Sequence, residues 1–247
     1  MILLAFRREL KSTFQIFRQP RTFAILALTS AMLTINWGTY IWSVSVNRIV
    51  EASLGYYITP LVSVTFGVFF LGERLHRFQW MAVSFATVGV IALTIQYGAF
   101  PWLALTIAIS WGSYSLLKKT LNIGALGGLS VETVIALIPN LIYLGWLANH
   151  GRAQFGQSWG FSLLLMCAGV VTVFPLLLFN GATTRLPLVV TGLLQYITPT
   201  IMFLVGVLIN HEEMSAGRII GFGFIWVALF FLAADLVRSN RAELRNF

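Results

Sequence analysis

Long apolar runs alternate with short polar or charged connections along the whole chain. Eight runs stand out, at 22–46, 51–71, 78–96, 101–117, 129–148, 159–179, 186–209 and 219–237. They approach or exceed the roughly 20 residues a helix needs to cross the hydrocarbon of a bilayer. Their apolar residues do not alternate with polar ones, as membrane-barrel strands require, but continue all round. In lipid each backbone polar group must be satisfied within its own element, so the pattern predicts membrane-spanning helices and an all-α polytopic membrane protein. The connections contain turn formers and charges: Asn47-Arg48, Gly72 to Arg77, Gly98, Lys118 to Gly128, Asn149 to Ser158, Ala182 to Arg185 and Asn210 to Arg218. No stretch is long enough for a separate soluble domain.

Composition agrees. Of 247 residues 58% are apolar and 10% charged, too few charges to cover a water-facing globule. The net charge of +8 raises the question of nucleic acid, but the basic residues sit in short loops rather than on one face. Counted on alternate sides of the eight runs, thirteen Lys and Arg fall on one side, and only Arg48, Arg152 and Arg218 on the other. The positive-inside rule puts the rich side and both termini in the cytoplasm, and a wrong span count would have scrambled the segregation. The single cysteine, Cys167, excludes an intrachain disulfide and reads as a small buried apolar residue. Met1 to Phe6, a short apolar stub followed at once by Arg7 and Arg8, has the wrong order for a cleavable signal peptide.

A repeat organises the runs. Tyr57-Ile58-Thr59-Pro60 recurs as Tyr196-Ile197-Thr198-Pro199, an offset of 139. The same offset pairs Leu54 with Leu193, Gly67 with Gly206, Val68 with Val207, Glu73 with Glu212, Val88 with Val227 and Leu93 with Leu232. Five runs separate the copies, and an odd number inverts orientation, the arrangement typical of secondary transporters. The domain expectation is therefore a partial first repeat at 1–96, a second repeat at 101–237 and a basic cytoplasmic tail at 238–247. The offset places the start of the first unit upstream of Met1. A symmetric protein would hold ten spans and roughly 40 to 50 further N-terminal residues.

Specific residues then carry a resemblance. Leu54-Gly55-Tyr56-Tyr57-Ile58-Thr59-Pro60-Leu61, Gly72-Glu73-Arg74-Leu75, and Gln79-Trp80 with Gly89-Val90 resemble the EamA repeat of the drug/metabolite transporter superfamily. Asn36-Trp37, Ile41-Trp42, Glu51-Ala52-Ser53-Leu54-Gly55-Tyr56 and Gln195-Tyr196-Ile197-Thr198-Pro199 resemble its RarD branch, the chloramphenicol-sensitive protein permeases. The resemblance covers the chain from Thr22 onward. It implies a ten-helix fold of two inverted five-helix units in the bacterial inner membrane, and export or exchange of small metabolites or drugs. Set against the resemblance, the chain is expected to lack the family's first helix and most of the second, which in the family help line the central cavity.

Ionisable residues inside spans are functional candidates by default. Glu51 opens the second span. It is either a proton or cationic-substrate site at a cavity mouth, or a carboxylate favoured by the helix dipole. Glu132 opens the fifth span and carries the same alternatives. Glu73 and Glu212 sit at equivalent loop edges, where each could pair with Arg74 or Arg218 and help close a gate; Asp235 reads as interfacial. Asn36, Trp37, Tyr57, Gln195 and Tyr196 lie inside spans and are candidates for cavity lining or helix packing, whereas Trp80, Tyr97, Trp102 and Trp159 read as interfacial anchors. Pro60 and Pro199 are paired hinge candidates or static kinks, with Thr59 and Thr198 placed to satisfy freed backbone groups. The three histidines fall in loops, and no metal spacing, nucleophile triad or phosphate loop is present, so neither a metal, a cofactor nor an enzyme is expected.

The expectation is a permease working by alternating access on a small organic metabolite or drug, with export as the default direction. Coupling to a proton or a counter-substrate is compatible with it, and the bilayer is its surroundings. The alternative is a non-transporting membrane fragment that folds with or regulates another protein.

Overall fold

The structure is a computed structural model that describes residues 16, 18–121, 123–208 and 216–244. Met1 to Phe6, Arg7, Arg8, Lys11, His211, Glu212 and Arg245 lie outside the described residues. The described chain is all helix and loop, with no strand. In order the helices are α1 (Pro20–Ser45), α2 (Ile49–Leu71), α3 (Arg77–Tyr97), α4 (Trp102–Thr120), α5 (Ala125–Asn149), α6 (Trp159–Arg185), α7 (Leu188–Leu194), α8 (Ile197–Leu208) and α9 (Ala216–Leu244). Five of them, α1, α2, α3, α5 and α6, are long and apolar enough to cross a membrane.

The apolar runs therefore map onto the helices with two differences. The seventh run is two helices, α7 and α8, separated at Gln195-Tyr196. The last helix continues to Leu244, so most of the expected tail is helical. Gly72 and Gly98 close α2 and α3 in the left-handed region, φ 66° and 76°, where a Cβ would be strained.

Two compact units are present. The first joins Met1–Thr34 to Leu117–Arg185. Its small core is Leu26, Leu121 and Val131 with Ile16, flanked by Phe23, Ile25, Ile123 and Ile135. Cys167 lies here on α6, exposed rather than buried, because this helix turns most of its apolar surface outward.

The second unit joins Ile35–Leu116 to Leu186–Phe247 and holds the larger core, including Leu54, Tyr57, Ala82, Ala86, Leu93, Leu193, Tyr196, Ile225 and Leu232. Helices α3 and α9 pack antiparallel along their length. Gly89 faces Gly221 and Phe224, Leu93 faces Gly221, and Gln96 faces Gly217. Near the other end of the pair, Gln79 bonds Asp235. Small residues let the two backbones approach, the usual device where lipid supplies no hydrophobic drive between helices. Phe85 stacks on Phe231 at 5.5 Å between ring centroids beside this contact. α2 runs antiparallel to α7: Gly67 meets Val189, and Gly192 meets Pro60 and Ser63.

The repeat reappears in these contacts. Shifted by 139 residues, the buried positions Ala82, Ala86 and Leu93 of α3 fall on Gly221, Ile225 and Leu232 of α9, all buried. The two copies thus use the same face against each other.

Candidate functional site

Helix α4 collects polar contacts in its first three turns. Glu51, in the first turn of α2, is fully buried. Its Oε1 accepts the backbone N–H of Leu103 at 2.9 Å, near the start of α4. Its Oε2 accepts the Tyr97 hydroxyl at 2.8 Å and pairs with Arg48 at 2.5 Å. The carboxylate therefore satisfies an N–H that helix geometry leaves orphaned, and sits where the α4 dipole favours negative charge. Arg48 also reaches the Tyr97 oxygen at 3.4 Å and lies over the Trp102 ring, 5.6 Å from its centroid. The hydrogen bond to Tyr97 is the main influence raising the Arg48 pKa above its ordinary value; desolvation opposes it and the Glu51 charge adds to it. Tyr97 and Trp102, expected as interfacial anchors, are parts of this cluster. One turn and two turns further on, the buried Asn36 amide donates to the Ile107 carbonyl at 2.8 Å and to the Ser110 hydroxyl at 3.1 Å. Gly55 brings α2 onto the same stretch: a Cβ there would come within 3.1 Å of the Ala104 carbonyl.

Identical tetrapeptides give different backbones at the two prolines. α2 runs unbroken through Pro60, and the Thr59 hydroxyl donates to the Gly55 carbonyl at 2.7 Å. The second copy is interrupted. Gln195 and Tyr196 donate three residues back, to Gly192 and Leu193, and Thr198 donates to Gln195. Pro199 then lies in the first turn of α8, where its missing N–H costs no intrahelical bond. Tyr57 packs edge-to-face on Phe222 at 5.3 Å. Its repeat mate Tyr196 is fully buried, and among the described residues the Tyr196 and Ser63 hydroxyls have no hydrogen-bond partner. Gln195 is half-buried, and Trp37 is exposed.

Glu132 lies seven residues into α5, beyond the turn in which the helix dipole acts, because the helix begins at Ala125. It is buried, and its Oε1 accepts from Thr29 at 2.5 Å and from Lys118 at 3.1 Å. Ser30 donates to the Glu132 carbonyl at 3.0 Å.

Three features escaped the sequence reading. Lys118 was counted only as a topology charge, yet it is buried; a lysine one residue past an uncharged run, facing Gly127-Gly128 and Glu132, was the available signal. Among the described residues Glu73 forms no ion pair with an arginine. It folds over Gly67 and caps α7, accepting the Leu188 and Val189 N–H groups at 2.7 and 2.8 Å. Asp235 is buried rather than interfacial, accepting from Gln79 at 2.8 Å, with His76 at 3.5 Å.

What each unit offers is apolar helices crosslinked by buried carboxylates, with an interruption at Gln195-Tyr196 in the second. Among the described residues no group of three or more His, Cys, Asp or Glu could hold a metal ion. Comparison with known proteins gives the setting. The model of the EamA-like transporter family matches residues 1–95 and again 100–234. The chain is 45% identical over 228 residues to Protein RarD of Streptomyces exfoliatus, covering 92% of this chain and 72% of that protein. It is 41% identical to an uncharacterized transporter of Vibrio cholerae, covering 99% of this chain and 81% of that one. A crystal structure of a protein 18% identical superposes with a TM-score of 0.66 over 93% of this chain and 80% of its own, a likeness of fold. The helices, the double match and the identities agree: this chain is a multi-pass membrane transporter that belongs to the EamA-like family, among its RarD-type permeases.

Proposed function

We propose that the protein is an inner-membrane permease that exports small organic metabolites or drugs by alternating access between two inverted repeats, with both termini cytoplasmic. The observation that carries this reading is the antiparallel packing of the repeat-related helices α3 and α9 through buried positions that match when shifted by 139 residues, with α2 likewise antiparallel to α7. Related units of opposite orientation can exchange conformations, which gives one site access to either side in turn. The segregation of Lys and Arg, thirteen against three, supports the orientation.

In this reading the interruption at Gln195-Tyr196 and Pro199 is a bending point. The fully buried Tyr196 belongs to this break, so bending there moves a core side chain. Pro60 is its continuous counterpart. Trp37 and Gln195, which keep exposure, are the groups offered to substrate, with Tyr57 and Tyr196 behind them. Glu51 and Asn36 hold α4 in register.

The test is uptake into inverted membrane vesicles under an imposed proton gradient, with a panel of small metabolites and drugs that includes chloramphenicol. Accumulation above vesicles lacking the protein is the expected result. No accumulation of any panel member, in vesicles that take up a control substrate through another carrier, overturns export of this class.

A further inference from the structure

Among the described residues the first unit holds a buried ion pair, Lys118 Nζ to Glu132 Oε1 at 3.1 Å. Lys118 stands at the C-terminal end of α4, two residues from its last residue, where a four-carbon stem could carry the ammonium to water. It turns inward instead, its side chain 5% exposed, to a carboxylate that is 2% exposed. Bringing both charges out of water costs several kcal/mol per ion before their attraction offsets it, so such a pair is poor evidence of a stability device. Ionisable groups within a membrane protein's interior mark ion and substrate pathways.

The surroundings restrict the chemistry. The ammonium lies so close to Gly128 that a Cβ there would come within 2.8 Å of Nζ. Thr29 donates to Glu132 now, and a hydroxyl can equally accept from a protonated acid, so α1 can satisfy Glu132 in either protonation state. Lys118 has no such freedom while charged, because a buried ammonium needs an anion. The pair borders the apolar core of Leu26, Leu121 and Val131, so a partner that reaches the ammonium needs an apolar body. Among the described residues, the other charged or titratable groups on the elements around it are exposed Arg18 and Arg21 at the start of α1, buried Tyr114 and half-buried Lys119 on α4, exposed Tyr143 on α5, and exposed Cys167 and Arg185 on α6, packed on α5.

Resting on the transport reading above, we propose that Lys118 and Glu132 form an ion-exchange site, in which the carboxylate of an organic acid with an apolar body replaces Glu132 on the Lys118 ammonium while Glu132 takes a proton from water. One anion and one proton enter together, so the buried charge is unchanged: the Glu132 carboxylate becomes a neutral acid bonded to Thr29, and the substrate carboxylate becomes the partner of Lys118. The site thereby couples one proton to one organic anion.

The experiment is a benzoate titration of the purified full chain in weakly buffered detergent at neutral pH, reading binding by calorimetry and proton uptake by an indicator dye. The wild-type protein is expected to take up about one proton per benzoate bound. Glu132→Gln is expected to bind benzoate without proton uptake, and Lys118→Met to bind it at least about tenfold more weakly. Gly128→Ala, which keeps both charges and displaces the ammonium, is expected to weaken binding in a chain whose elution profile and melting show it folded. Absence of benzoate binding to the wild type, binding without proton uptake, or undiminished binding by Lys118→Met overturns the proposal. These outcomes are independent of transport. A chain that moves other panel members but lacks benzoate-linked proton uptake loses this site and keeps the permease reading, whereas linked uptake in a chain that transports nothing does the reverse.

Discussion

Glu73 offers a direct test of how this bundle is held. Its two carboxylate oxygens each accept one N–H at the start of α7, at 2.7 and 2.8 Å, and Oε2 sits where a Cβ on Gly67 would come within 2.8 Å. Removing a helix cap costs about 0.5–2 kcal/mol, and hydrogen bonds to a charged group are worth about 1.5–3 kcal/mol each. Because Glu73 is only half-buried, water recovers part of the loss, and about 2 kcal/mol is the expected cost of Glu73→Ala. For a chain of this size that is a fall in melting temperature of about 4–8 °C. Glu73→Gln keeps one acceptor but turns an amide N–H toward a backbone N–H, and should lose roughly half as much. Gly67→Ala displaces the same carboxylate and should by itself resemble Glu73→Ala. The double variant should then be little worse than either single one, giving a coupling energy of about 1–2 kcal/mol. The assay is thermal unfolding in detergent for the four-member cycle, with hydrogen exchange at the Leu188 and Val189 amides as the local readout. Additive losses, or unchanged protection of those amides in Glu73→Ala, refute the capping role.

Three further outcomes follow from the close contacts. Gly89→Ala drives a methyl against the Gly221 backbone carbonyl, 2.9 Å away, whereas the nearest atoms to a methyl at Gly221 belong to the flexible Leu93 side chain; the first should lose about 1–3 kcal/mol in detergent melting and the second distinctly less. Gly192→Ala confronts the Pro60 carbonyl at 3.1 Å and Ser63 Cβ at 2.9 Å, and should lower the melting temperature while raising exchange through α7. Tyr97→Phe removes a donor to Glu51 but leaves the Leu103 N–H in place, so a loss of about 1 kcal/mol is expected, with Glu51→Ala losing more because it strips every partner at once.

Much of the helical scaffold was legible because lipid leaves so few options. Unbroken apolar runs between 22 and 237 had to be helices, and their ends fell close to the observed ones. Glu51 could be identified as unusual but not assigned partners, since the Leu103 N–H and the Tyr97 hydroxyl come from residues about 50 positions away. Lys118 looked like one more loop cation because the turn that brings Glu132, 14 residues on, against it is set by packing. Asn36 was recognised as an intraspan amide, while its role in holding α4 depended on which helix passed beside it.

The Tyr-Ile-Thr-Pro repeat marks the boundary between the two sources of information. By itself the sequence determined the fold class, the repeat and its inversion, because hydrophobic length, charge segregation and residue identity are properties of the chain alone. Only the tertiary structure decided that Pro60 lies in a continuous helix while Pro199 follows a break. It also decided that Lys118 faces Glu132, and that Glu73 caps α7. The physical reason is shared. A proline removes one N–H wherever it occurs, and a carboxylate needs donors wherever it is buried. Which backbone group yields, and which donor answers, is set by the neighbour that packing brings within 3 Å.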